Sequence, residues 1–261
     1  MAVVFFDIDG TLWDDHMIVP ESTKEAIRQL QKNGHKAFVC TGRAMGNVND
    51  PQFDAIGFDG FVAACGNHVE MDGKVLYERN MSLEEVKAIY DASREHHLPL
   101  IYEGSTYQWL DREGFEGDSY IIYILEKLKD SAVFLDECSL EDIKANKFSA
   151  LINADTNYTA IEESLNDMFD FMDHGDGIIE AVPIGTSKAT GIAWVCNYLN
   201  IPVEDTYGIG DSINDLEMLQ FVGHSIAMGN AAQAAKDVAE YVTTHIHDDG
   251  VANALKHYNL I

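Results

Sequence analysis

Apolar positions in this chain follow two rhythms. Val3 to Asp7 and Lys36 to Cys40 are short, nearly continuous apolar runs, the pattern of strands buried on both faces. Between them Ala26, Ile27 and Leu30 recur at helical spacing behind Ser22-x-x-Glu25, which reads as a capping box, and Asn33-Gly34 closes the helix. Strand, helix and strand joined by short links predict a right-handed βαβ unit with parallel strands. Gly60 to Ala64 predicts a further strand. His68 to Met71, Asp72-Gly73 and Lys74 to Tyr77 then predict a hairpin with a two-residue turn.

From about residue 81 the pattern changes. It predicts a helix over 82–97, strands at 99–103 and 106–110, a helix over 118–130 and a strand at 147–154. A helix over 158–169 and strands at 171–174 and 177–182 complete the stretch. The α/β alternation then resumes, with helices over 187–199, 213–220, 231–237 and 249–257 and strands at 206–209 and 224–227. The expectation is a three-layer α/β core with a central parallel sheet, formed by residues 1–80 and 184–261 and interrupted by an inserted α+β domain, residues 81–183.

Composition narrows the function classes. Hydrophobic residues make up 46% of the 261 and no repetitive or Pro-rich tract occurs, so a folded globular chain is expected. No apolar stretch has the length of a membrane span and the N-terminal run is too short for a signal peptide, so cytoplasmic residence is the expectation. The four cysteines, Cys40, Cys65, Cys138 and Cys196, are widely spaced and read as reduced thiols. A formal charge of −27 argues against nucleic acid or an anionic membrane as the main partner. An anionic substrate would need a locally positive pocket, since screening over about 8 Å leaves the local site in command.

Four short segments carry chemistry. Asp7-Ile8-Asp9-Gly10-Thr11 places two acids at the end of the first strand, where ligands bind in open parallel sheets. With Ile8 pointing away, Asp7 and Asp9 can face one side and repel each other when ionised, so a cation or a retained proton is needed. Thr41-Gly42-Arg43 follows the second strand and offers a hydroxyl and a backbone N–H. Lys188 opens the helix after Gly185-Thr186-Ser187, and Gly208-Ile209-Gly210-Asp211-Ser212-Ile213-Asn214-Asp215 sets two acids at a strand-to-helix junction. Taken singly, the two acidic segments read equally well as a solvated turn and a helix cap, while Thr41-Gly42-Arg43 reads more readily as a loop turn and Lys188 as a solvated lysine.

In this order the four segments resemble the motifs of the haloacid dehalogenase superfamily of phosphotransferases, in a Rossmann-like core. The resemblance continues in Ala227-Met228-Gly229-Asn230-Ala231 and Asp249-Gly250-Val251. The long insertion resembles the type IIB cap of the Cof-like phosphatases. Where many Cof-like chains carry Asn-Gly before the hairpin, this one reads Ala64-Cys65-Gly66-Asn67.

That resemblance implies a nucleophile, Asp7, and a general acid and base, Asp9. It implies Mg²⁺ held by the Asp7 carboxylate, the Asp9 carbonyl and Asp211, with Asp215 one shell out. Thr41, Gly42, Lys188 and Asn214 would hold the phosphoryl oxygens. The implied activity is Mg²⁺-dependent hydrolysis of a small phosphorylated metabolite through an aspartyl-phosphate, the cap setting specificity. A phosphomutase of the phosphomannomutase type shares this machinery, and a non-enzymatic metabolite sensor would need only the fold.

Other signals read as structure. His245-x-His247 and His96-His97 lack a third ligand at zinc spacing, and Asp173-His174-Gly175-Asp176-Gly177 lacks the calcium-loop pattern and reads as a turn between strands. Tyr120, Ile121, Ile122, Tyr123, Ile124 and Leu125 read as the packed face of a helix, and Tyr102, Tyr107 and Trp109 are candidates to line a substrate cleft.

Overall fold

The computed structural model describes residues 1–115, 121–122, 125–126, 131–173 and 177–261. The predicted helix over 118–130 falls largely outside them, as do residues 174–176 of the predicted turn at 173–177. The chain divides into two compact units, Met1–Gly42 with Asn49–Tyr77 and Ser187–Ile261, and Arg43–Val48 with Glu78–Thr186. Among the described residues no helix is long and apolar enough to cross a membrane.

In the first unit the strands are β1 (Val3–Phe6), β2 (Lys36–Cys40), β3 (Gly60–Ala63), β4 (His68–Met71), β5 (Lys74–Glu78), β12 (Thr206–Gly210), β13 (His224–Ala227) and β14 (Tyr241–Val242). They form one sheet in the order β14-β13-β12-β1-β2-β3-β4-β5. From β14 to β3 neighbours run parallel, and β4 turns antiparallel to β3. All four residues of β1 are buried, which is why that run carries no polar alternation. Helices α1 (Glu21–Lys32) and α2 (Pro51–Ile56) belong to this unit, and the hairpin turns at Asp72-Gly73 with both residues at positive φ.

The sequence reading of α1 needs one correction. The helix starts at Glu21 with Pro20 at its N-cap, without a side-chain cap, so Ser22 lies inside the first turn and forms no capping box. Proline at φ −56° already directs the chain into the helix. Helix α2 was not anticipated, although Asp50-Pro51 carries its signal: the Asp50 side chain accepts from Gln52 N–H and proline occupies the first turn.

The second unit contains β6 (Leu100–Glu103), β7 (Gln108–Leu110), β8 (Ala132–Phe134), β9 (Lys147–Leu151), β10 (Phe169–Asp173) and β11 (Ile178–Pro183), in the order β10-β11-β9-β6-β7-β8. One sheet face supplies Leu100, Tyr102, Trp109, Phe148 and Ala150 to a core with Val86 and Ile89 of α3 (Leu83–His96) and Ile161 of α4 (Tyr158–Leu165). Tyr102 and Trp109 are therefore core residues rather than cleft residues. Tyr102 is fully buried and its hydroxyl donates to Val86 O at 2.7 Å, whereas Tyr107 is exposed.

The opposite face holds a buried polar cluster. Lys147 lies 2.6 Å from Glu180 and 3.4 Å from Glu103, and Ser149 also donates to Glu103. Asn47 Nδ2 donates to Glu103 Oε2 at 2.8 Å and Gly46 N–H to Gly104 O at 3.3 Å, which is how the short segment Arg43–Val48 joins this unit. The remaining helices, α5 (Lys188–Leu199), α6 (Leu216–Phe221), α7 (Gln233–Val238) and α8 (Gly250–His257), belong to the first unit.

Candidate active site

Three neighbouring strand ends of the first unit's sheet build the site. Phe6 is in register with Ile209 on one side and Val39 on the other, so Asp7, Asp211 and Thr41 each lie one residue beyond the tip of β1, β12 or β2. The Asp7 N–H still pairs with Ile209 O at 2.9 Å, and Thr41 N–H with Val62 O of β3 at 2.8 Å, so these residues are held by the sheet itself. Carboxylate oxygens of Asp7, Asp211 and Asp215 lie within 4.8 Å of one another.

Lys188 reaches this acid cluster from the first residue of α5, whose N-terminus is closed by a capping box between Ser187 and Thr190. Its side chain is 1% exposed, and Nζ donates to Asp7 Oδ1 at 2.6 Å, Asp215 Oδ1 at 2.6 Å and Asn214 Oδ1 at 3.1 Å. Three acceptors satisfy the three donors of an ammonium, so the buried charge is fully paired. Asp215 is equally committed: its second oxygen accepts from the N–H groups of Asp211 (2.8 Å) and Ser212 (3.0 Å). Asp7 and Asp211 are thus the carboxylates left to meet a cation.

Gly10 makes the close approach possible. It sits at φ +77°, and a Cβ there would stand 2.3 Å from Asp211 Oδ2, so only glycine lets the β1 loop lie against that carboxylate. The next residue, Thr11, is buried and donates to Asp211 Oδ1 at 3.3 Å. Thr11 belongs to the motif read from the sequence, yet no role was expected of it. Asp9, between these contacts, is exposed.

The electrostatics follow from crowding acids around one ammonium. Burial, then Asp215, raises Asp7 well above the ordinary carboxylate range, Lys188 pulling the other way. Asp211 is pushed up to about 7, first by burial and then by Asp215, against Lys188 and the Thr11 hydroxyl. For Lys188 burial disfavours the charge, but Asp215 and Asp7 outweigh it and hold the pKa well above the usual lysine value. Cys40, which the sequence places beside Thr41, has its thiol raised far out of the reactive range by burial.

This donor set fits a hard divalent cation. Only oxygens are offered, they converge, and burial together with the neighbouring acids disfavours the ionised forms of Asp7 and Asp211, a penalty that a cation would offset. Of the residues predicted on these segments, Asp7, Asp211, Asn214, Asp215 and Lys188 come together in one cluster, while Asp9 is exposed beside it. Asn214 turns its Oδ1 to Lys188, where it also accepts from Ser212 Oγ at 2.8 Å. In the turn before β4, Ala64 and Cys65 both adopt positive φ, the conformation in which Asn-Gly would be at ease.

Comparison with known proteins places the whole chain among described relatives. Residues 4–255 match the model of the haloacid dehalogenase-like hydrolases. The 5-amino-6-(5-phospho-D-ribitylamino)uracil phosphatase YitU of Bacillus subtilis is 29% identical, over 98% of this chain and 97% of its own length. A hypothetical protein from Geobacillus kaustophilus superposes with a TM-score of 0.84 at 32% identity, covering 100% of this chain and 99% of that one. The subclass IIB sugar phosphatase BT4131 superposes with a TM-score of 0.81 at 25% identity, covering 100% of both chains.

Proposed function

The chain belongs to the haloacid dehalogenase-like hydrolases, and on that premise we propose that it is a Mg²⁺-dependent phosphatase hydrolysing small phosphate monoesters, sugar phosphates or related metabolites. The observation that carries this reading is the cluster of buried Asp7, Asp215 and Lys188 with half-buried Asp211 at adjoining strand ends. A sensor would have no need of a buried lysine clasped by two acids beside a third.

Asp7 is the nucleophile: its carboxylate oxygen bonds to phosphorus as the bond to the leaving alcohol breaks, giving an aspartyl-phosphate. One hard displacement becomes two easier ones. Asp9, exposed beside it, delivers the proton that the departing alkoxide takes, then accepts one from the water that attacks the acyl phosphate. Inorganic phosphate leaves and Asp7 is restored. The Thr41 hydroxyl and the Gly42 N–H hold the phosphoryl oxygens, and Lys188, kept aimed by Asp215 and Asn214, sets its positive charge beside them. Mg²⁺, held by the Asp7 and Asp211 carboxylates and the Asp9 carbonyl, would neutralise charge on the phosphoryl group and on the acids. The inserted second unit is the cap of this family and would carry specificity for the leaving group.

The test is phosphate release from a panel of phosphorylated metabolites, with and without Mg²⁺, by wild type and Asp7→Asn. Metal-dependent release that falls at least about a thousandfold in the variant is expected, because nucleophile and ligand are lost together. Equal release by both proteins overturns the assignment. Isomerised sugar phosphate without free phosphate would mark a mutase instead.

A further inference from the structure

Two stretches of the sequence have no part in this chemistry, Ala227–Ala231 and Asp249–Val251, yet in the first unit they meet behind the acid cluster. β13 ends at Ala227, in register with Gly210 at the tip of β12, and the chain turns beyond it. In that turn the Met228 N–H donates to Gly210 O at 3.0 Å and the Ala232 N–H to Asp211 O at 2.7 Å, so the turn fixes the backbone that carries Asp211. Between those two contacts, Asn230 Nδ2 donates to Gly10 O at 2.7 Å. One short turn therefore holds both loops that bear the acids.

The turn is itself braced. Asn230 Oδ1 accepts from the Ile246 N–H at 3.0 Å and the Gly229 N–H donates to Thr244 O at 3.0 Å. A Cβ at Gly229 would stand 2.4 Å from His245 N, and one at Gly250 would stand 2.5 Å from Thr244 O, so backbone meets backbone at both glycines. Thr243 Oγ1 closes the arrangement onto Gly250 O at 2.8 Å.

We infer that Asn230 is a positioning residue for the Asp7-to-Thr11 loop, its side-chain amide spanning the Gly10 carbonyl and the Ile246 N–H and thereby setting the direction of Asp9. Gly10 has the widest conformational freedom of any residue and follows Asp9 directly. Its N–H is bound to Trp13 O at 2.9 Å and its carbonyl to Asn230, so both its peptide planes are pinned. Loss of the Asn230 donor frees the Gly10–Thr11 plane and leaves the Asp9–Gly10 plane held by the Trp13 contact alone, so the loop can shift Asp9 relative to the leaving oxygen without unfolding anything. The inference rests on the role proposed above for Asp9.

The test compares wild type, Asn230→Ala, Asn230→Asp and Asn253→Ala in steady-state phosphate release with Mg²⁺ from a panel of hexose and pentose phosphates, whose alkoxide leaving groups need a proton, with thermal melting of each. Asn230→Ala is expected to lower kcat by about 10²-fold, the cost of a displaced reacting group, with KM within threefold. Asn230→Asp keeps the acceptor for Ile246 but sets an oxygen against the Gly10 carbonyl in place of the donor, so it should lose kcat at least as much as Asn230→Ala. Asn253 binds Thr244 Oγ1 (2.9 Å) and Asp248 O (3.0 Å) in the same brace without touching Asn230, and its replacement by alanine should leave kcat unchanged. Wild-type kcat in both Asn230 variants overturns the inference, as does a loss matched by Asn253→Ala or by the drop in melting temperature. A wild type that hydrolyses no phosphate ester instead overturns the proposed function, and this inference with it.

Discussion

Lys188 Nζ lies 2.6 Å from Asp7 Oδ1, both side chains being withdrawn from solvent. An ion pair so placed is no bonus to stability, because desolvation offsets most of its attraction, but removing one partner leaves the other as an uncompensated buried charge.

Lys188→Ala should therefore cost more than a surface lysine. With Asp7 and Asp215 left facing each other, the expected loss is about 3–5 kcal/mol at pH 8, together with phosphatase activity. Acid relieves the repulsion by protonating Asp7, whose carboxyl burial already holds above the ordinary range, so the same variant should come closer to wild type at pH 5. Urea unfolding at the two pH values without metal checks this. A penalty that is larger at pH 5 would contradict it.

Gly10→Ala tests the approach of the β1 loop to Asp211. A residue with a Cβ at φ +77° costs roughly 1–2 kcal/mol in backbone strain, and here the new carbon also displaces the Asp211 carboxylate. Expected are a modest fall in melting temperature and a much larger loss of Mg²⁺ affinity, measured by calorimetric titration. Unaltered Mg²⁺ binding would show that Asp211 does not need that position.

Much of this site was legible in the sequence because its chemistry sits on local features: acids at strand ends, a lysine at a helix start, glycine where the chain must come close. The fold was legible where burial is two-sided, as in β1, or where a turn has its own residues, as at Asp72-Gly73. β8 was not, since three half-buried residues on a sheet edge have no periodicity to detect. Ser22-x-x-Glu25 misled because Pro20 starts the helix earlier than the cap pattern does. Glu103, Lys147, Ser149 and Glu180 alternate with apolar residues as on any solvated sheet face, and only the three-dimensional structure reveals that this face is buried. Asn230 was visible as part of a motif, but its bond to Gly10 spans 220 positions, beyond the reach of any local pattern.

Thiol reactivity should separate the cysteines by burial rather than by nearness to the site. Cys40, Cys65 and Cys196 are buried and Cys138 is half-buried, with burial raising the Cys40, Cys138 and Cys196 thiols. In the folded protein at pH 7.5 a maleimide should label Cys138 first and Cys40 only after denaturation, as peptide mapping by mass spectrometry would show. Early labelling of Cys40 would mean that its neighbourhood opens.

The strongest pH dependence should come from Asp211 and Asp7. Burial and then Asp215 lift Asp211 from its ordinary value near 3.8 to about 7, and Asp7 moves the same way. Because these folded-state values exceed the unfolded ones, the folded protein keeps protons that the unfolded chain releases. Their contribution to stability is full below about pH 4 and is lost as pH rises through about 7. Mg²⁺ needs both carboxylates ionised, so it competes with those protons and repays the repulsion that they had suppressed. At one Mg²⁺ concentration the rise in melting temperature should be larger at pH 8 than at pH 6. Calorimetry in buffers of different ionisation enthalpy should detect proton release on Mg²⁺ binding at pH 6.5 and little at pH 8.5. Stabilisation that is greater at pH 6, or binding without proton release there, would mean that the cation is held by other groups.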